Sequence, residues 1–251
     1  MQNANNIIWR FITTLLMISS LSNIAVAQDK PAVNPALDAA IHDYIMRHPQ
    51  VIREALEKAA LNEEVERTKR ILREQSEAIY RSGSPTIGRA DAKISIVEFF
   101  DYNCPYCRKS YPLVHQFVAD NPDVRIVLKD IANLGKESEA ISRLAIAARR
   151  QGKFEPLHEA LMGRQGRTTE IMALDTARKL GIDIEILKRD AASPETARVL
   201  AATRELASSL SIEGTPLFII GHNGIPGTPD NWMGQLARFV AEIRKSGCDV
   251  C

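Results

Sequence analysis

One stretch constrains this chain more than any other. It runs Ile94-Ser95-Ile96-Val97-Glu98-Phe99-Phe100-Asp101-Tyr102-Asn103-Cys104-Pro105-Tyr106-Cys107-Arg108-Lys109. A short run of Ile, Val and Phe, bounded by Asp91 and Asp101, reads as a buried strand. It ends in Cys-Pro-Tyr-Cys, and a helical pattern follows. The free N–H groups and partial positive charge at a helix start stabilise a thiolate. Thiolate is the attacking species in disulfide exchange. Placed just before the first helical turn, Cys104 reads as the nucleophile, with its sulfur expected to stay exposed. Cys107, one turn deeper, reads as the resolving thiol. Pro105 suits the first turn because its missing N–H would be unpaired there anyway. The alternatives are a structural disulfide, or half of a zinc site completed by Cys248 and Cys251.

Phe-Phe-Asp-Tyr-Asn-Cys-Pro-Tyr-Cys, with Glu98 six residues before Cys104, resembles the DsbA family of periplasmic thiol oxidoreductases over about residues 86–246. The resemblance implies an α/β, thioredoxin-like fold with an inserted helical domain at about 131–209. It places an acid at Glu98 beneath the active site. Such a partly buried carboxyl would carry a raised pKa and could exchange a proton with Cys107. The resemblance also implies that Thr215-Pro216 is a cis bond facing the C-x-x-C motif. Thr215, Pro216, Pro105 and Tyr106 would then contact substrate, the Thr215 backbone pairing with it like an added strand. No cofactor beyond the redox-active disulfide is expected.

Residues 1–27 read as a cleaved signal peptide: Arg10, an uncharged stretch from Phe11, then Ala25-Val26-Ala27. That fits a periplasmic location, and two C-x-x-C pairs fit an oxidising compartment. The formal net charge of +1 gives no reason to expect a nucleic-acid partner.

Residues 28–82 read as a helical arm. Leu37, Ala40, Ile41, Tyr44 and Ile45 share one helical face, His48-Pro49 interrupts, and a second helix follows. Leu61, Val65, Thr68, Leu72, Gln75 and Ile79 then form a short heptad seam amid charged residues. The arm either self-associates or packs along its own domain. Tyr44 to Ile52 resembles the opening of a DsbA subgroup that includes the copper-sensitivity suppressor ScsC. That resemblance implies a homo-oligomer through residues 35–82, trimer favoured, acting as a disulfide isomerase. Arg81 to Pro85 reads as a hinge.

Asp123 to Asp130 reads as a second core strand, and helix is expected from Lys136 to about Ser209. In Gly214 to Gly221 a proline, Pro216, leads a strand; His222-Asn223-Gly224 reads as a hairpin turn, and Ile225 to Gly227 as an edge strand. Asp230 is expected to cap a last helix. Each of the five histidines reads as surface or turn. Three readings of Cys248 and Cys251 stay open: a second redox pair, a soft-metal site, or an inert disulfide.

The function expected is therefore thiol–disulfide exchange on unfolded or misoxidised periplasmic proteins, as an isomerase or reductase, recharged by a membrane redox partner. The alternatives are a DsbA-like oxidase and a copper-binding protection protein that uses both cysteine pairs.

Overall fold

The computed structural model of the chain describes residues 34–81 and 83–251, so the expected signal peptide lies outside the described residues. The chain divides into two units, residues 1–57 and 58–251. In the first, helix α1 (Pro35–Arg47) is capped by the Asn34 side chain, which accepts from the N–H groups of Ala36 and Leu37. It stops at His48, the residue before Pro49. Helix α2 (Gln50–Glu74) begins directly after that proline and continues into the second unit.

Strand alternation explains the second unit. Strand β1 (Thr86–Gly88) pairs antiparallel with β3 (Val124–Asp130). Strand β2 (Ile94–Phe100) lies between β3, to which it is parallel, and β4 (Leu217–Ile220), to which it is antiparallel. Strand β5 (Asn223–Pro226) forms the other edge. Every residue of β2 is buried, as its near-continuous apolar run requires of a strand covered on both faces.

The two faces of β2 sort by parity. Ile94, Ile96 and Phe100 join a core with Val114 and Val118 of helix α3 (Pro105–Asp120). Val97 and Phe99 join a smaller core with Leu72, Ile79, Tyr80, Leu206 and Val250. Between β3 and β4 stand helices α4 (Lys136–Ala148), α5 (Phe154–Met162), α6 (Glu170–Lys179), α7 (Ile184–Ala191) and α8 (Pro194–Ser209). This is the thioredoxin-like architecture with inserted helices. Helix α9 (Trp232–Ser246) follows β5 and buries Trp232, Leu236, Phe239 and Val240.

The heptad seam divides. Leu61 and Val65 are exposed, whereas Leu72 and Ile79 are buried against the sheet. After α2 a π-helical turn (Glu77–Arg81) brings in Tyr80, whose hydroxyl donates to the Gly221 carbonyl at 2.8 Å. Lys129 Nζ donates to the Ala78 carbonyl at 2.6 Å and to Ser84 Oγ at 2.9 Å. The end of the stretch expected to be arm, and the expected hinge after it, are thus fastened to the sheet of the second unit.

Three local expectations are corrected. The hairpin turn is Gly221-His222, since Ile220 pairs with Asn223. The last helix starts from Asn231 in a left-handed conformation rather than from an Asp230 cap. His158 is a core residue: its Nδ1 and the buried Tyr102 hydroxyl share a hydrogen bond at 3.0 Å, and burial holds its pKa down at about 3. That hydroxyl gives the ring a buried partner and makes an interior histidine tolerable.

Candidate active site

Cys104 caps α3. Its backbone is extended (φ −76°, ψ 117°), and its sulfur accepts from the Cys107 N–H at 3.5 Å. Pro105 occupies the first helical position. The structure is in the dithiol state at this pair. Contrary to expectation, Cys104 is 4% exposed. The reason is the segment entering β4: the thiol donates to the Thr215 carbonyl at 3.2 Å, and the Thr215-Pro216 peptide there is cis. Tyr106 is 60% exposed beside them. A surface cavity of about 670 Å³ is lined by Tyr106, Thr215, Pro216, Leu217 and Pro226. Thr215, Pro216 and Tyr106 therefore sit together next to Cys104, and Pro105 faces a different cavity.

The electrostatics separate the two thiols. The Cys107 thiol hydrogen-bonds to Cys104 and holds its pKa down at about 6, against the opposing effect of burial. The Thr215 side chain and the N–H groups of Cys107 and Tyr106 act in the same direction. Cys107 is fully buried, and burial pushes its thiol far up. The hydrogen bond to Cys104 and the nearby Glu98 charge push it further. One sulfur is thus a ready thiolate and the other a proton holder.

Glu98 lies on the α3-facing side of β2. It is 3% exposed, and its Oε1 has no hydrogen-bond partner. Burial, followed by the proximity of the Cys104 charge, raises its pKa to about 8. The carboxyl is more deeply buried than the partly buried position expected. With both forms accessible near neutral pH, the acid can release a proton there and its carboxylate can take one up.

Residues that sequence reasoning missed hold this arrangement. The Asp101 carboxylate accepts from Asn103 N–H at 2.7 Å, Ser138 Oγ at 2.7 Å and Leu134 N–H at 2.9 Å. The Asn103 side chain pairs with the Thr168 backbone in both directions, at 2.8 and 3.1 Å. Arg108 donates to the Tyr102 carbonyl at 2.7 Å, to Thr168 Oγ1 at 2.8 Å and to the Gly166 carbonyl. Separations of up to 65 residues leave no local signal for these contacts.

Cys248 and Cys251 lie apart from this site, joined in a disulfide. Their sulfurs are therefore not available as thiolate ligands in this state. Among the described residues, no three or more His, Cys, Asp or Glu side chains are grouped to hold a metal ion.

The family model for the DSBA-like thioredoxin domain matches residues 95–237, and that for the N-terminal domain of copper resistance protein ScsC matches residues 36–59. A thioredoxin-like oxidoreductase from Silicibacter pomeroyi is 38% identical and superposes with a TM-score of 0.64, over 67% of this chain and 97% of that one. A linker-deletion variant of Proteus mirabilis ScsC is 26% identical, with a TM-score of 0.65, over 86% of this chain and 99% of that one. Among curated relatives, the Na(+)/H(+) antiporter NhaA 3 of Salinispora tropica is 28% identical over 142 residues. That alignment takes 55% of this chain and only 22% of the antiporter's length.

Proposed function

Because the chain belongs to the DsbA-like thioredoxin-domain family, we propose that it performs thiol–disulfide exchange on protein substrates through Cys104 and Cys107, in the periplasm, as an isomerase or reductase. The observation that carries this reading is a helix-capping thiol with its pKa held at about 6, next to a deeply buried partner thiol.

The chemistry follows from these groups. The Cys104 thiolate attacks one sulfur of a substrate disulfide, forming a mixed disulfide and releasing the other sulfur as a thiolate, which takes a proton. Cys107 gives its proton to the ionised form of Glu98 and attacks Cys104. The protein becomes a disulfide and the substrate a dithiol. In isomerisation, a second substrate thiol resolves the mixed disulfide instead and the protein remains reduced. A dithiol donor at the membrane restores the reduced form after each reduction. The Thr215 backbone, with Pro216 and Tyr106 beside it, is placed to hold an extended substrate segment.

The isomerase direction rests on the N-terminal unit. Leu37, Ile41, Tyr44, Met46 and Leu56 are all exposed there, and α1 buries no residue. Exposed apolar side chains at helical spacing are what self-association covers, and the match to the ScsC N-terminal domain covers the same residues. We assign residues 35–57 to oligomerisation, with a trimer favoured. Among the described residues no helix is long and apolar enough to cross a membrane.

Cys104→Ser should abolish reduction of insulin and refolding of scrambled ribonuclease; retained turnover would sink the catalytic assignment. Light scattering on the chain lacking residues 28–57 should give a monomer that still reduces insulin but no longer isomerises. An unchanged mass would remove the role given to the arm.

A further inference from the structure

A second cavity, of about 770 Å³, is lined by Pro105 and by none of the cis-proline segment. It is bounded by the start of α3 and by the loop between α5 and α6. Its lining includes Pro105, Arg108, Lys109, Arg164, Arg167 and a single acid, Glu159. Four cations thus face one carboxylate, on a chain whose overall charges nearly balance.

One of those cations has a polar atom left unpaired. Arg164 Nε is buried without a hydrogen-bond partner among the described residues. A buried guanidinium N–H left unpaired is costly. Arg108 and Arg164 repel one another: beside burial, the Arg164 charge is the next cause holding the Arg108 pKa below its ordinary value. Arg108 is committed to the carbonyls of Tyr102 and Gly166, where it ties the α5–α6 loop to the active-site turn. Lys109 and Arg167 are exposed. A pocket that gathers like charge is complementary to an anion.

We propose that this pocket binds carboxylates of the substrate chain, so that the protein selects disulfides flanked by acidic residues. The inference rests on the redox reading above. It adds a charge preference set by Lys109, Arg164 and Arg167, separate from the backbone contacts at Thr215. The pocket begins at Pro105, the residue after the attacking cysteine. Asn103, on the other side of that cysteine, lines it as well, so a substrate whose sulfur sits on Cys104 lies at the rim of the pocket.

The test uses the full reduced chain and three short peptides that differ only in the residues flanking a central position: Asp/Glu, Ser/Gln or Lys/Arg. With serine at the centre, fluorescence anisotropy reads binding without any redox step. With a mixed disulfide at the centre, stopped-flow fluorescence reads exchange. At low ionic strength the acidic peptide should bind and react at least about fivefold better than the basic one, and the ratio should collapse in roughly 0.5 M salt. In the Lys109→Gln/Arg164→Gln variant the ratio should fall to about one, while the neutral peptide still reacts. Reading the ratio removes any common effect of the lost charges on Cys104. Equal binding of all three peptides, or an unchanged ratio in the variant, would overturn the pocket. Charge-selective anisotropy without exchange on any peptide would uphold the pocket and sink the redox reading instead.

Discussion

The Cys104 thiol donates to the Thr215 carbonyl across 3.2 Å, joining residues 111 positions apart. The helix start stabilises the thiolate, and the segment before β4 both covers it and adds a hydrogen bond from the Thr215 side chain. Reactivity and substrate contact are therefore set at one point.

That geometry fixes a pH profile. Alkylation of Cys104 in the reduced protein, followed by mass spectrometry, should have its midpoint near pH 6, whereas an ordinary thiol titrates near pH 8.5. Thr215→Val removes the side-chain hydrogen bond and keeps the backbone. At about 0.5–1.5 kcal/mol for such a bond, the rate at pH 6 should fall by roughly two- to tenfold. A wild-type midpoint above pH 8 would contradict the site electrostatics.

Glu98 yields a prediction of opposite sign. Its pKa is raised on folding, from the ordinary 4.5 to about 8. Between those values the folded chain keeps a proton that the unfolded chain gives up. Stability from this group is therefore complete at low pH and is lost as pH rises toward 8. Each pH unit crossed is worth about 1.4 kcal/mol. Glu98→Gln keeps the shape and never ionises. Its stability relative to wild type should climb between pH 5 and pH 8, by up to about 4 kcal/mol. Resolution of the mixed disulfide by Cys107 should slow at the same time. Denaturant curves of the reduced proteins at both pH values decide the matter; parallel curves would mean that Glu98 does not titrate in that range.

Much of this was legible in the chain, for identifiable reasons. A continuous apolar run predicts a strand covered on both sides, and β2 is one. Cys-Pro at a helix start predicts a cap, and Cys104 is one. The helical block between β3 and β4 follows from periodicity. What sequence could not carry was distance. The Tyr80–Gly221 hydrogen bond spans 141 residues, and it fastens a stretch whose heptad spacing alone fits an exposed arm. Leu61 and Leu72 occupy equivalent spacings, yet only Leu72 finds a sheet to cover it. His158 looks like any helical histidine until Tyr102 closes over it.

Gly88 tests the packing of β1 against α3. Its φ is +101°, and a Cβ there would stand 2.8 Å from Val118 Cγ1 and 3.0 Å from the Val124 carbonyl oxygen. The carbonyl belongs to β3 and cannot withdraw without breaking register. Gly88→Ala should therefore cost about 1–3 kcal/mol, a fall in Tm of roughly 3–10 °C for a unit of this size. Thermal unfolding followed by circular dichroism would show it, and an unchanged Tm would mean that β1 is not held as described.

The C-terminal tail should act as a fastener for the end of the arm. Val250 is buried in the cluster formed by Leu72, Ile79 and Tyr80. Asp249 pairs with His222 at 2.8 Å and approaches Arg73 at 3.6 Å. The Cys248–Cys251 disulfide closes the loop that presents Val250. So small a loop gains little from cross-linking entropy, so the burial of Val250 should dominate. Ending the chain at Ser246 should destabilise the protein by about 2 kcal/mol. Cys248→Ser/Cys251→Ser should cost less, since the valine can still dock. Amide hydrogen exchange should quicken at residues 72–81 in the truncated chain, while Cys104 alkylation keeps its rate. Exchange at 72–81 that ignored the truncation would show that Lys129 and Tyr80 hold the segment without the tail.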